Sequence, residues 1–213
     1  MNGYTFHITL YGLLALGTIF VGLTFVLLLW FTKRNDRAAN RFLSLALLTI
    51  ILKMVSVLGI DMRLGAHFQH WGWLPLDFSL VLGPLIYFYV LKRTRPGYKF
   101  RPKDLLHFSP LLLQQGALVL VINGSLRAGG ISPVLHLAAF ISVITYLYWS
   151  FRLIECFYQQ LKFNDVSDRY RYQLRWLRNL LIGFGLLWLL WIPLTAVDYF
   201  YYNNRLGIHT YFS

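Results

Sequence analysis

Hydrophobic positions along the chain form long uncharged runs, separated by short polar segments rich in Lys, Arg, Gly and Pro. Runs of about 18 or more residues are long enough to cross roughly 30 Å of hydrocarbon as helices. They predict an all-α fold, a polytopic transmembrane helical bundle in one membrane domain over 1–213. Six spans are expected, at about 10–31, 42–60, 74–91, 105–122, 134–151 and 176–197. Beyond the fifth span, Leu153, Ile154, Phe157, Tyr158 and Leu161 recur at intervals of three and four, which predicts a cytoplasmic helical extension over 152–175. Within that extension Asn164 to Asp168 reads as a turn with a capping residue.

Basic residues orient the spans. The first 32 residues contain no Lys or Arg, and the first apolar run ends against Lys33, Arg34, Arg37 and Arg41. A cleavable signal peptide has the opposite order, so the expected N-terminus is outside and this loop cytoplasmic. The third span ends at Lys92, Arg93, Arg95, Lys99, Arg101 and Lys103, around the turn formers Pro96-Gly97 and Pro102. A third basic group, Arg152, Lys162, Arg169, Arg171, Arg175 and Arg178, surrounds the extension. Only Arg63, Arg127 and Arg205 fall in predicted external segments. Trp30, Tyr87, Tyr89, Trp149 and Trp176 lie at the predicted inner ends, and Trp71, Trp73 and the cluster 199–202 at the outer ends, as interfacial aromatic belts require.

Composition supports that reading. Of 213 residues 57% are hydrophobic and 13% charged, where a soluble domain carries about a quarter charged residues. The formal net charge of +12 would suggest nucleic acid in a soluble chain, but here it is mainly a topology signal against an anionic leaflet. No direct nucleic-acid binding by this chain is expected. The single cysteine, Cys156, excludes an internal disulfide framework and a cysteine-based zinc site.

Polar residues inside apolar runs need a physical reason. Lys53 lies in the outer half of the second span, Asp77 one turn inside the outer end of the third, and Asp198 at the outer end of the sixth. A stabilising pair or snorkelling toward the interface accounts for Lys53 most simply. The sharper expectation is an outward-facing pocket of Lys53, Asp77 and Asp198 for an external or lipid-borne molecule. Gln114 and Gln115 fall near mid-membrane in the fourth span, where at least one should face a hydrogen-bonding partner in the bundle; Gln114 joins the speculative ligand-binding set. Pro84, Pro110 and Pro193 are candidate kinks. His107 and His136 belong to opposite interfaces and cannot share a metal, and His67 with His70 lacks a third ligand.

The chain contains no HExxH, Walker loop, GxSxG or paired carboxylates within one span, so no enzyme, catalytic residue, cofactor or metal is expected. Gly12, Gly17 and Gly22 recur at intervals of five and do not make a GxxxG face. Asn123-Gly124-Ser125 matches a glycosylation sequon without identifying a cell type.

Several short motifs carry a family resemblance. Leu82-Gly83-Pro84-Leu85-Ile86-Tyr87-Phe88-Tyr89-Val90, followed by the basic loop and Asp104-Leu105-Leu106-His107-Phe108-Ser109-Pro110, resembles the amino-terminal membrane region of bacterial AraC-type transcription regulators with multi-helix sensors, common in Bacteroidetes. Ala39-Asn40-Arg41-Phe42-Leu43 resembles the start of that family's second helix, and Leu174-Arg175-Trp176-Leu177-Arg178 resembles the segment before its sixth. The resemblance covers about 10–205, with Gly83, Pro84, His107, Pro110 and Trp176 as structural motif positions. It implies seven helices and a following helix-turn-helix domain, whereas this sequence supplies neither the seventh helix nor that domain. The implied role is a sensory input module in a bacterial cytoplasmic (inner) membrane, with the bilayer and an unknown small-molecule or lipid ligand as partners. A homodimer is left open. The alternative is a small transporter or channel, for which no inverted repeat or pair of broken helices is evident.

Overall fold

A computed structural model of the chain describes residues 10–32, 37–62, 78–95, 97–122, 128–163, 175–187 and 189–190. All regular structure among them is helical: α1 (Leu10–Phe31), α2 (Arg37–Asp61), α3 (Ser79–Thr94), a 3-10 helix (Pro102–Phe108), α4 (Ser109–Ile122), α5 (Ala128–Phe163) and α6, over 175–187 and 189–190. Among the described residues three helices are long and apolar enough to cross a membrane, in the segments Gly12–Phe31, Arg37–Gly59 and Leu137–Gln159. As described, α3 has 16 residues and α4 has 14, short of the roughly 20 a spanning helix needs.

The helices are apolar on the outside, as expected of a bundle surrounded by lipid rather than water. On α1, Leu13, Leu14, Phe20, Val21, Phe25, Leu27, Leu28 and Phe31 are all exposed. Thr18 and Thr24 on the same helix turn their hydroxyls back onto the Leu14 and Phe20 carbonyls at 2.9 Å, which satisfies them without water.

At the centre stands α3, none of whose residues is exposed. It packs against α2 on one side and α5 on the other, while α1 packs against α2. Val81, Leu82, Leu85, Ile86 and Val90 of α3 share one buried cluster with Ala46 of α2, Val143, Leu147 and Ile154 of α5, and Leu177 and Leu181 of α6. Close approach of α3 to α5 depends on Gly83. A β-carbon there would lie 2.9 Å from Tyr146 Cδ2 and 3.3 Å from the Ser142 carbonyl oxygen. The pair α1–α2 is tied by Ser44, whose hydroxyl donates to the Val26 carbonyl at 3.3 Å.

Several element boundaries differ from expectation. The helix α2 begins at Arg37 rather than near 42, because Arg37, Ala38 and Ala39 are good helix formers that extend the apolar run. The described part of α3 starts at Ser79, and the expected residues 74–77 lie outside the described set. Residues 105–108 are 3-10 rather than the start of an α-helix. Pro110 stands second in α4, where it marks the change of helix type instead of kinking a span. Pro84 is inside α3 and buried; Pro193 is outside the described residues. Finally, α5 begins six residues before the expected 134, running unbroken from Ala128 through Pro133 to Phe163. Proline is tolerated near a helix start, where the lost hydrogen bond frays an end rather than breaking the middle.

Candidate functional site: a basic loop over an aromatic cluster

The most organised polar region joins α3 to α4. The α3 helix ends as Arg95 N–H donates to the Leu91 carbonyl at 2.8 Å, and Tyr98 N–H donates to the Arg95 carbonyl at 3.0 Å across the Gly97 turn. Lys92 holds Tyr98 twice: its ammonium donates to the Tyr98 carbonyl and sits 5.7 Å from the centre of the ring, within cation–π range. The Tyr98 hydroxyl donates to Asp104 Oδ2 at 2.6 Å, and the same oxygen accepts the Arg101 backbone N–H at 2.8 Å. These two bonds fix the start of the 3-10 helix, with Pro102 at its first position.

Electrostatics follow from that geometry. The Arg101 backbone N–H, then the Tyr98 hydroxyl, hold the Asp104 carboxyl below its ordinary value of 3.8. The hydrogen bond to Asp104 raises the Tyr98 phenol above its ordinary value of 10.0. Six cations, Lys92, Arg93, Arg95, Lys99, Arg101 and Lys103, stand against Asp104 as the one carboxylate between 92 and 104. Arg95, Gly97, Tyr98, Lys99 and Arg101 line an open cleft of about 480 Å³.

Beneath the loop lies a cluster of rings drawn from α2, α3, the loop, the 3-10 helix and α5. Phe88, 1% exposed, is its centre. Phe42 and Phe108 stack on it at 5.5 and 5.7 Å, and Phe100 and His107 meet it edge-on at 5.2 and 5.5 Å. On the α5 side, Tyr146 and Trp149 are perpendicular to each other at 5.4 Å, with Tyr87 5.9 Å from Tyr146. His107 Nδ1 and the Tyr146 hydroxyl share a 2.8 Å hydrogen bond. Each aromatic contact contributes about 0.5–1.5 kcal/mol beyond its burial, so the loop is anchored by several rings at once.

Of the three residues expected to form an outer pocket, Lys53 alone is among the described residues. Lys53 is half-buried on α2 and engaged with a neighbour, while Asp77 and Asp198 lie outside the described residues. Gln114 is on α4, and the principal neighbours of α2 are α1 and α3. Gln114 itself is 7% exposed, and its Oε1 lacks a hydrogen-bond partner, as does Ser142 Oγ on α5; Gln115 is engaged. Of the motif positions, Gly83 and Pro84 are buried in α3, His107 and Pro110 flank the 3-10 to α junction, and Trp176 is 56% exposed while its neighbour Leu177 faces the core. Among the described residues no three His, Cys, Asp or Glu side chains come together as metal ligands. The side chains of His67, His70 and His136 are outside that set.

Sequence reasoning missed the ring cluster. Its signal was present in the local runs Tyr87-Phe88-Tyr89 and His107-Phe108, but the partner Tyr146 lies 39 residues beyond His107. No protein family, curated protein or solved structure matches the chain.

Proposed function

We propose that the chain is the membrane-embedded sensory or input module of an AraC-type transcription regulator, relaying an external or lipid-borne signal to a cytoplasmic DNA-binding domain not contained in these 213 residues. In this reading the chain crosses a bacterial inner membrane six times, with its N-terminus outside and its basic loops in the cytoplasm. The observation that carries it is α5, a single helix of 36 residues. At 1.5 Å per residue such a helix is about 54 Å long, well beyond the roughly 30 Å of hydrocarbon. It continues without a break from its packing with α3, past the apolar segment Leu137–Gln159, to Phe163, so a shift in the bundle is carried to the far end of one rod. A ligand must still bind two arrangements with different affinity to produce such a shift.

The test is transcriptional. In cells carrying the native gene, deletion is expected to alter a set of transcripts, and a flexible Gly-Ser insertion after Lys162 to reproduce those changes while the protein still inserts in the membrane. Transcripts indifferent to both changes overturn the reading.

A second reading, a small carrier or channel, is favoured by the unpartnered Gln114 Oε1 and Ser142 Oγ inside an apolar bundle. Solute flux through protein-containing liposomes supports it, and tight liposomes argue against it.

A further inference from the structure

We propose that the cleft formed by Arg95, Lys99 and Arg101 is a binding site for the phosphate of an anionic phospholipid headgroup, taken from the leaflet against which the α3–α4 loop lies. The proposal rests on the membrane-spanning reading of the chain but not on its sensory role, so the two fail separately.

Three observations converge on the site. The first is charge: six cations face a single carboxylate between 92 and 104, and Oδ2 of that carboxylate already accepts from Tyr98 and Arg101 N–H. The guanidinium groups of Arg95 and Arg101 and the Lys99 ammonium are exposed along one cleft. Guanidinium groups present paired N–H donors that match a phosphate.

The second is construction. Lys92 and Asp104 clamp Tyr98 from both sides, and the ring cluster around Phe88 holds the loop from below. The cleft, at about 480 Å³, is within the usual range of about 300–1,000 Å³ for ligand sites.

The third selects a lipid over free phosphate. Within a few residues of the cations in sequence, Leu105 and Leu106 are exposed, Leu106 by 72%, while Phe100, packed edge-on against Phe88, is 39% exposed. Bare apolar side chains next to exposed cations make the pattern of a segment seated at a membrane interface, apolar groups toward the acyl chains and cations at headgroup level. An inorganic anion gives Leu105 and Leu106 nothing to cover them.

The full chain in phosphatidylcholine nanodiscs, titrated with short-chain phosphatidylglycerol and read by thermal shift and native mass spectrometry, tests the site. Saturable binding is expected, falling by about tenfold or more when Arg95, Lys99 and Arg101 are all changed to Gln. The control changes Arg37, Arg152 and Arg178 to Gln, exposed cations that do not line the cleft, and is expected to bind within about twofold of the native chain. Equal losses in the two triple variants overturn the proposal, because charge alone then explains binding. Stabilisation by inorganic phosphate at the same concentrations overturns the lipid assignment. Should the cleft triple fail to insert, R95Q, K99Q and R101Q are measured singly. A loss in each supports the site, and no loss in any of them overturns it.

Discussion

His107 Nδ1 and the Tyr146 hydroxyl, 39 residues apart in sequence, lie 2.8 Å from one another and join the 3-10 helix to α5. Through this bond the basic loop and the longest helix are attached side chain to side chain. The expected outcome of Tyr146→Phe is a loss of about 1 kcal/mol, the usual net contribution of one hydrogen bond. A double-mutant cycle with His107→Phe, measured by unfolding in mild detergent, should return a coupling of similar size; zero coupling would show that the bond contributes nothing to stability.

Gly83→Ala should cost about 1–3 kcal/mol, as overpacking a close helix contact does. Its new methyl meets Tyr146 Cδ2 at 2.9 Å, and the Tyr146 ring is held by His107 and cannot swing aside freely. Gly17→Ala, with nothing within 4 Å, is the matched comparison and should cost nothing. Similar melting temperatures for the two variants would contradict the account of α3 against α5.

Acid should loosen the α3–α4 loop through Asp104. Its carboxyl is held below 3.8 in the folded chain, chiefly by the Arg101 N–H and then by Tyr98. The carboxylate therefore stabilises the loop at pH above its unfolded value, and that contribution is lost as pH falls through the lowered folded value. Hydrogen exchange over 97–108 should rise in acid in the native chain, after correction for intrinsic rates. In Asp104→Asn it should already be raised at neutral pH and show little further change. An identical pH response in the two proteins would remove Asp104 from the explanation.

Gln114→Leu separates a structural glutamine from a ligand-contacting one. Removing a buried, unpaired amide oxygen from an apolar setting should leave stability unchanged or raise it by about 1–2 kcal/mol. A more stable protein with the proposed transcriptional response intact assigns Gln114 to the bundle interior alone. Greater stability with the response lost would place Gln114 in a ligand site.

Orientation can be read with cysteine labels, since Cys156 is the sole native thiol. In a Cys156→Ser background an impermeant maleimide applied to intact cells should label Arg127→Cys and leave Lys99→Cys untouched until the membrane is opened. The reverse pattern would overturn the proposed orientation.

The end of the first helix at Phe31 was legible, because an uncharged run of Leu, Phe and Val closed by Lys33 and Arg34 admits one reading. The described residues of α6 are helical from 175 to 187, overlapping the expected sixth span. The 3-10 turn was not legible: Asp104-Leu105-Leu106-His107-Phe108 fits an α-helix equally well, and the choice is made by Pro102 and the bonds to Asp104. The outer pocket was drawn from the cost of burying charge, which identifies Lys53 as needing a partner without saying which one. The ring cluster depends on which helices are neighbours. Apolar runs carry little such information, since every face of a lipid-immersed helix is hydrophobic.

The full enclosure of α3 has a consequence for biogenesis. A helix with no exposed residue, carrying Gly83 and Pro84 in its interior and ending in Lys92 and Arg93, gains little by standing alone in a bilayer. Its stable place exists only once α2 and α5 are present to receive it. Substitutions along α3 should therefore register first as newly made protein removed by membrane quality control, before any change in what the surviving molecules do.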